Sequence, residues 1–110
     1  MNDQPIPKTV ELDLSSTEYV QILKGPPESV TMRSGLVVLQ PGQSVGRHST
    51  GIYEEMVVVL EGEGEILFGD GSVKRLTPHT VAYCPPQTEH DVRSSGNAVM
   101  HYIYIVARAD

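Results

Sequence analysis

The chain has 110 residues, the size of one domain. Its formal net charge of −6 argues against a nucleic-acid partner, because binding a phosphate backbone requires a basic surface. The single cysteine, Cys84, excludes an intrachain disulfide, and no apolar run approaches the roughly 18 residues of a membrane span. The polar, proline-containing start does not resemble a signal peptide. We therefore expect a cytoplasmic protein without a membrane partner.

The chain begins with a segment that we predict to be a flexible arm, residues 1–8, because Pro5 and Pro7 prevent helix formation and weaken strand pairing. A single domain is predicted over residues 9–110. The one stretch with weak helix signals is 15–23, where a serine could cap the first turn. This stretch is short and β-branched at its end, which leaves a strand as the alternative.

The other segments between turn residues are rich in Val, Ile, Tyr and Thr, which is typical of strands. The predicted strands cover residues 19–23, 36–40, 56–60, 63–68, 80–84 and 100–106. Asp70-Gly71 predicts a tight hairpin turn, because it supplies the positive φ values that such a turn needs. The run 56–60 is apolar at every position, which predicts a central strand buried on both faces. This pattern favours an all-β protein with two packed sheets.

Candidate site residues fall in two stretches of the chain, 42–62 and 85–90, and these resemble the two motifs of the cupin superfamily. The first motif of that family is Gly, five residues, His, one residue, His, three or four residues, Glu, six residues, Gly. The residues at that spacing here are Gly42, His48, Glu55 and Gly62. The second motif is Gly, five residues, Pro, one residue, Gly, two residues, His, three residues, Asn, of which Pro85 and His90 match.

The chain departs from both motifs. Thr50 stands where the family has its second histidine, and the second motif is altered at His79, Gln87 and Ser94. The resemblance spans about residues 30–106. The short spacing between the two motifs is similar to that of small single-domain bacterial members of the family. It implies a double-stranded β-helix, or jelly roll, built of two antiparallel sheets.

The resemblance also implies that His48, Glu55 and His90 hold one divalent transition metal, with Thr50 in the fourth position. Two imidazoles and one carboxylate suit Fe, Mn, Ni, Zn or Co. A neutral hydroxyl is a poor ligand, so we expect Thr50 to leave an open position or to bind a water, with weaker metal retention. Without a metal, the three residues would be buried hydrogen-bonding groups, an arrangement that is costly for a carboxylate.

Other side chains are candidates for the surroundings of the metal. Tyr53 lies two residues before Glu55, so both can face inward, and we take both as candidate catalytic residues that move protons. Tyr53 could instead be a packing aromatic at the barrel mouth. Arg33 and Arg47 suit a substrate carboxylate, although alternation directs Arg47 away from the interior. The predicted pocket wall also contains Val57, Val59, His101 and Tyr102.

Three functions are compatible with these residues. The first is a metal-dependent enzyme acting on a small oxygen-rich molecule as a dioxygenase, isomerase or decarboxylase, since the fold does not choose among these reactions. The second is a non-catalytic module that binds or senses a small ligand, with or without metal. The third is a metal-free sugar isomerase or epimerase that uses a His and a Tyr. Because many cupins resemble symmetric dimers, we also expect a homodimer.

Overall fold

The structure is a computed structural model that describes residues 4–110. Within these residues there are nine strands: β1 (Val20–Leu23), β2 (Arg33–Leu39), β3 (His48–Ser49), β4 (Tyr53–Glu61), β5 (Gly64–Phe68), β6 (Val73–Leu76), β7 (Val81–Cys84), β8 (Glu89–Ser94) and β9 (Met100–Arg108). The described residues contain no helix, and therefore no helix long and apolar enough to cross a membrane. The helix considered for 15–23 does not form, because Asp13 accepts hydrogen bonds that fold Ser15 and Ser16 into a turn.

The strands form two antiparallel sheets, which confirms the jelly-roll expectation. The larger sheet has the order β1-β2-β9-β4-β7 and the smaller one the order β3-β8-β5-β6. The predicted hairpin joins β5 to β6, with Gly71 at φ 90° and the Asp70 carboxylate accepting a hydrogen bond from the backbone N–H of Ser72 at 2.8 Å. Residues that are far apart in the sequence therefore lie on neighbouring strands of these sheets.

The core lies between the two sheets, and the inward-facing residues of β4 form part of it. Val57 and Val59 are fully buried in it, as the apolar run predicted. The outer face of β4 is less covered than predicted, because Met56 is 43% exposed. The prediction that both faces of this strand are buried is therefore wrong for the single chain, in which no second layer covers Met56.

The predicted flexible arm falls partly outside the described residues, which begin at residue 4. Residues 4–8 are exposed and form no strand. At the end of this segment, Lys8 Nζ donates to the carbonyl of Ile22 at 3.2 Å and to the Glu28 carboxylate at 2.9 Å. These contacts attach Lys8 to β1 and to the loop that follows it.

Candidate metal site

Three potential metal ligands converge between the sheets from three different strands. His48 of β3 lies directly opposite His90 of β8, and Glu55 reaches them from β4 of the other sheet. One ligand atom from each residue lies within 4.8 Å of the others, and the imidazole centroids are 4.3 Å apart. Ligand atoms on one ion are about 3 to 4 Å apart. Small side-chain rotations would therefore bring all three donors onto a single ion.

Backbone carbonyls determine which ring nitrogen of each histidine carries hydrogen. Nδ1 of His48 lies 2.8 Å from the carbonyl oxygen of Gly46, and Nδ1 of His90 lies 3.1 Å from that of Thr88. Because a carbonyl can only accept, Nδ1 is the donor in both contacts. Nε2 is then the atom that each neutral ring can offer to a metal, a common arrangement for metal-binding histidines.

Glu55 and His90 form a buried contact that favours positive charge. Nε2 of His90 lies 3.0 Å from Oε1 of Glu55, and the residues are 1% and 7% exposed, respectively. The hydrogen bond with Glu55 raises the pKa of His90 above its ordinary value, while burial opposes that rise. Because Nδ1 of His90 already donates to Thr88, the contact needs either an extra proton or a cation. A divalent metal would supply that charge, so the donor set fits one.

Thr50 does not direct a free hydroxyl toward these ligands. Its Oγ1 donates to the carbonyl of Pro85 at 2.7 Å and accepts from the backbone N–H of Thr88 at 3.0 Å. The side chain therefore joins the end of β3 to the turn that leads into His90. These contacts favour a structural role for the hydroxyl, so His48, Glu55 and His90 are the residues that would hold a metal.

A cavity of about 530 Å³ adjoins the three residues. Much of its wall is apolar and consists of Val37, Leu39, Val45, Val92 and Val106. Arg33 and Tyr102, which the sequence assigned to the pocket, lie in the wall. Val57 and Val59 are packed in the core deeper along β4. An apolar wall combined with polar side chains is typical of small-molecule sites.

His101 lies outside this cavity, on the other face of β9 from Tyr102. It is buried, and its Nε2 donates to the carbonyl of Ser16 at 3.0 Å. Its Nδ1 lies 3.9 Å from a carboxylate oxygen of the exposed Glu61. His101 therefore connects the segment before β1 to the outer face of the sheet through this hydrogen bond, and it does not contribute to the candidate site.

The two arginines that suited a substrate carboxylate are in different places. Arg33 lies at the cavity with its guanidinium carbon 5.5 Å from the centre of the Tyr53 ring, a cation–π geometry. Arg47 points away from the cavity and pairs with Glu89 at 2.8 Å. Tyr53 and Glu55 share the inward face of β4, as alternation predicted.

Tyr19 also lines the cavity, although the sequence did not single it out. Its hydroxyl lies 2.6 Å from that of Tyr104, and the two rings are stacked. Burial raises the pKa of Tyr104, and the contact with Tyr19 adds to this rise. A Cβ on Gly35 would lie 2.7 Å from the Tyr19 ring. A glycine within a strand was the available signal, because it often marks such a close approach.

Residues 35–106 match the family described as the cupin domain, and the chain therefore belongs to the cupin family. A search of the curated proteins finds no match. This establishes the class of the protein and confirms the resemblance.

Solved structures share the fold at low sequence identity. A cupin 2 conserved barrel domain protein from Salinispora arenicola is 19% identical, with a TM-score of 0.76, over 94% of this chain and 91% of that chain. The Cnp3 cupin domain of Schizosaccharomyces pombe is 16% identical, with a TM-score of 0.78, over 92% and 75%. A conserved double-stranded β-helix protein from Klebsiella pneumoniae is 20% identical, with a TM-score of 0.75, over 94% and 93%. These similarities show the fold alone.

Proposed function

We propose that this cupin binds one divalent transition metal through His48, Glu55 and His90 and processes a small oxygen-containing molecule in the adjoining cavity. The observation that carries the proposal is the grouping of two imidazoles and one carboxylate within 4.8 Å of one another. The metal is one of Fe, Mn, Ni, Zn or Co, which this ligand set suits. Dioxygenase, isomerase and decarboxylase chemistry all stay within the proposal.

Each residue has a defined part in this proposal. The bound metal would supply a Lewis acid for an oxygen atom of the substrate. The carbonyls of Gly46 and Thr88 orient the two imidazoles, and Glu55 contributes the negative charge. Tyr53 lies on the same inward face as Glu55, where its phenol can exchange a proton with substrate. The valines of the wall offer an apolar surface to the body of the substrate.

Metal analysis of protein purified without a nickel column tests the proposal. We expect about one equivalent of transition metal after reconstitution, and a loss of most of it in His90→Ala. His79→Ala is the matched control, because His79 is exposed in a turn and should leave the metal content unchanged. Retention below about a tenth of an equivalent in the wild type, with the fold intact by circular dichroism, would contradict the proposal.

A second candidate function is a non-catalytic module that holds a small ligand. The cavity favours it, because an apolar wall combined with polar side chains that can anchor a ligand binds a small molecule without any chemistry. Mass spectrometry of a ligand that co-purifies, before and after incubation with metal and air, separates the two functions. A ligand recovered unchanged supports binding alone, whereas a converted ligand supports the enzyme.

A homodimer is also part of the proposal. The outer face of the larger sheet exposes Met56, Val81 and Tyr83 by 43%, 51% and 54%, and Met56 lies opposite Tyr83 on neighbouring strands. A second copy of the chain would cover this apolar face. The cytoplasmic location and the lack of a nucleic-acid partner stay predictions.

A further inference from the structure

Arg33 differs from the other arginines of the described chain. Those others are paired with carboxylates, as Arg47–Glu89, Arg75–Glu63, Arg93–Glu65 and Arg108–Asp110. Among the described residues, no ion pair is formed by Arg33, and it is the one arginine that lines the cavity beside the candidate metal site. In a chain with a net charge of −6, an unpaired cation at a cavity is unusual enough to suggest a ligand.

The strand register places Arg33 and Glu55 in one row across the larger sheet. Arg33 of β2 lies opposite Val106 of β9, and Val106 lies opposite Glu55 of β4. Neighbouring strands are about 4.8 Å apart, so the two Cα atoms are separated by about 10 Å. Both side chains line the same cavity. A small molecule lying along this row can therefore approach the guanidinium at one end and the candidate metal ligands at the other.

The Arg33 side chain is exposed and packs against two neighbours. A Cβ on Gly25, which has a φ of +97°, would lie 2.9 Å from Nε and 3.2 Å from Cγ of Arg33. The Tyr53 ring lies beside the guanidinium. Neither contact neutralises its charge. A guanidinium in this state can pair with a carboxylate through two parallel hydrogen bonds.

We propose that Arg33 binds the carboxylate of the ligand, which makes the substrate class a small organic acid. The valine wall takes an apolar or aromatic body, and a second oxygen-bearing group of the acid lies toward His48, Glu55 and His90. The placement of that second group rests on the proposed function of the metal site. The pairing of Arg33 with a carboxylate does not, because it requires no metal.

A comparison of 3-phenylpropionate with 3-phenylpropionamide tests the pairing, because the two probes differ in charge and hardly in shape. Binding is measured by NMR titration on EDTA-treated protein, so that the carboxylate has no metal to bind. We expect the wild type to prefer the acid by about fivefold, and Arg33→Gln to lose this preference. Arg75→Gln is the matched control and should keep it, since Arg75 lies in β6, away from this cavity. Arg33→Lys should retain part of the preference, since it keeps the charge without the bidentate geometry.

Other outcomes separate this proposal from the proposed function. Equal binding of the two probes to the wild type, no binding of either at about 10 mM, or a preference that persists in Arg33→Gln overturns the role of Arg33. The same titrations on metal-loaded protein, with metal content measured, complete the test. A preference that appears only with metal and survives Arg33→Gln overturns the pairing and supports the metal site. A preference that Arg33→Gln abolishes in a protein that retains no metal supports the pairing and contradicts the metal site.

Discussion

At the scale of single residues, the candidate site depends on hydrogen bonds that orient its side chains. Glu55 and His90 are buried against each other, which is costly unless a proton or a cation balances the carboxylate. The backbone carbonyls of Gly46 and Thr88 hold the two rings. The motif spacing predicted which residues would meet. It could not predict the role of Thr50, because the groups that bind its hydroxyl are 35 and 38 residues away.

Replacing Thr50 by valine tests this structural role. Thr50→Val keeps the shape of the side chain but leaves the Pro85 carbonyl and the Thr88 N–H without their partner. We expect a loss of about 1–3 kcal/mol in the free energy of unfolding, measured in urea. We also expect weaker metal retention, because the turn that leads to His90 loses its attachment. Unchanged stability would show that the hydroxyl is free for another purpose.

At the scale of strands, the content of Val, Ile, Tyr and Thr predicted most of the strands, including the short β1 and β7, but not β3 or β8. β4 and β9 were identified from their Val, Ile and Tyr content, although both extend beyond the predicted ends. β3 has two residues and β8 is rich in charged residues, so neither carries a strand pattern of its own. β3 forms because it pairs with β8 at His48 and His90, and β8 forms because it also pairs with β5 over residues 90–94. Pairing between distant segments is a tertiary effect that local sequence does not encode.

The Gly35 position in β2 tests how the strands shape the cavity mouth. In Gly35→Ala, the new Cβ would meet the Tyr19 ring and separate the Tyr19 and Tyr104 hydroxyls. Because Tyr19 is half-exposed and its ring can move aside, we expect the loss of the hydroxyl contact to cost about 1 kcal/mol in the free energy of unfolding, measured by urea denaturation. Gly96→Ala is the control, because its Cβ would make an ordinary 3.4 Å contact with Glu63. Equal stability of the two variants would contradict the close approach of Tyr19.

At the scale of the whole molecule, the family and the fold class were predictable because a small acidic β protein with these motif spacings has few alternatives. The exposed apolar face was not predictable, since the run 56–60 suggested burial on both sides. Its outward residues Met56 and Val58 lie beside Tyr83 and Val81 of β7. A single barrel leaves this face open to solvent.

Light scattering after size-exclusion chromatography tests whether a second copy covers this face. We expect the wild type to have twice the monomer mass, and Val81→Lys to shift the mass toward the monomer, because Val81 lies opposite the apolar Val58 and a buried unpaired charge there opposes association. Val73→Lys is the control, since Val73 is similarly exposed but lies on the smaller sheet. A wild type that stays monomeric across a wide concentration range would contradict the homodimer.

Anomalous diffraction from crystals grown with Zn²⁺ tests the metal site most directly. We expect one strong peak about 2.0–2.2 Å from Nε2 of His48, a carboxylate oxygen of Glu55 and Nε2 of His90. The remaining coordination positions should face the cavity that Arg33 also lines. A map with no peak between these three residues, or with its strongest peak at another place on the protein, would contradict the account.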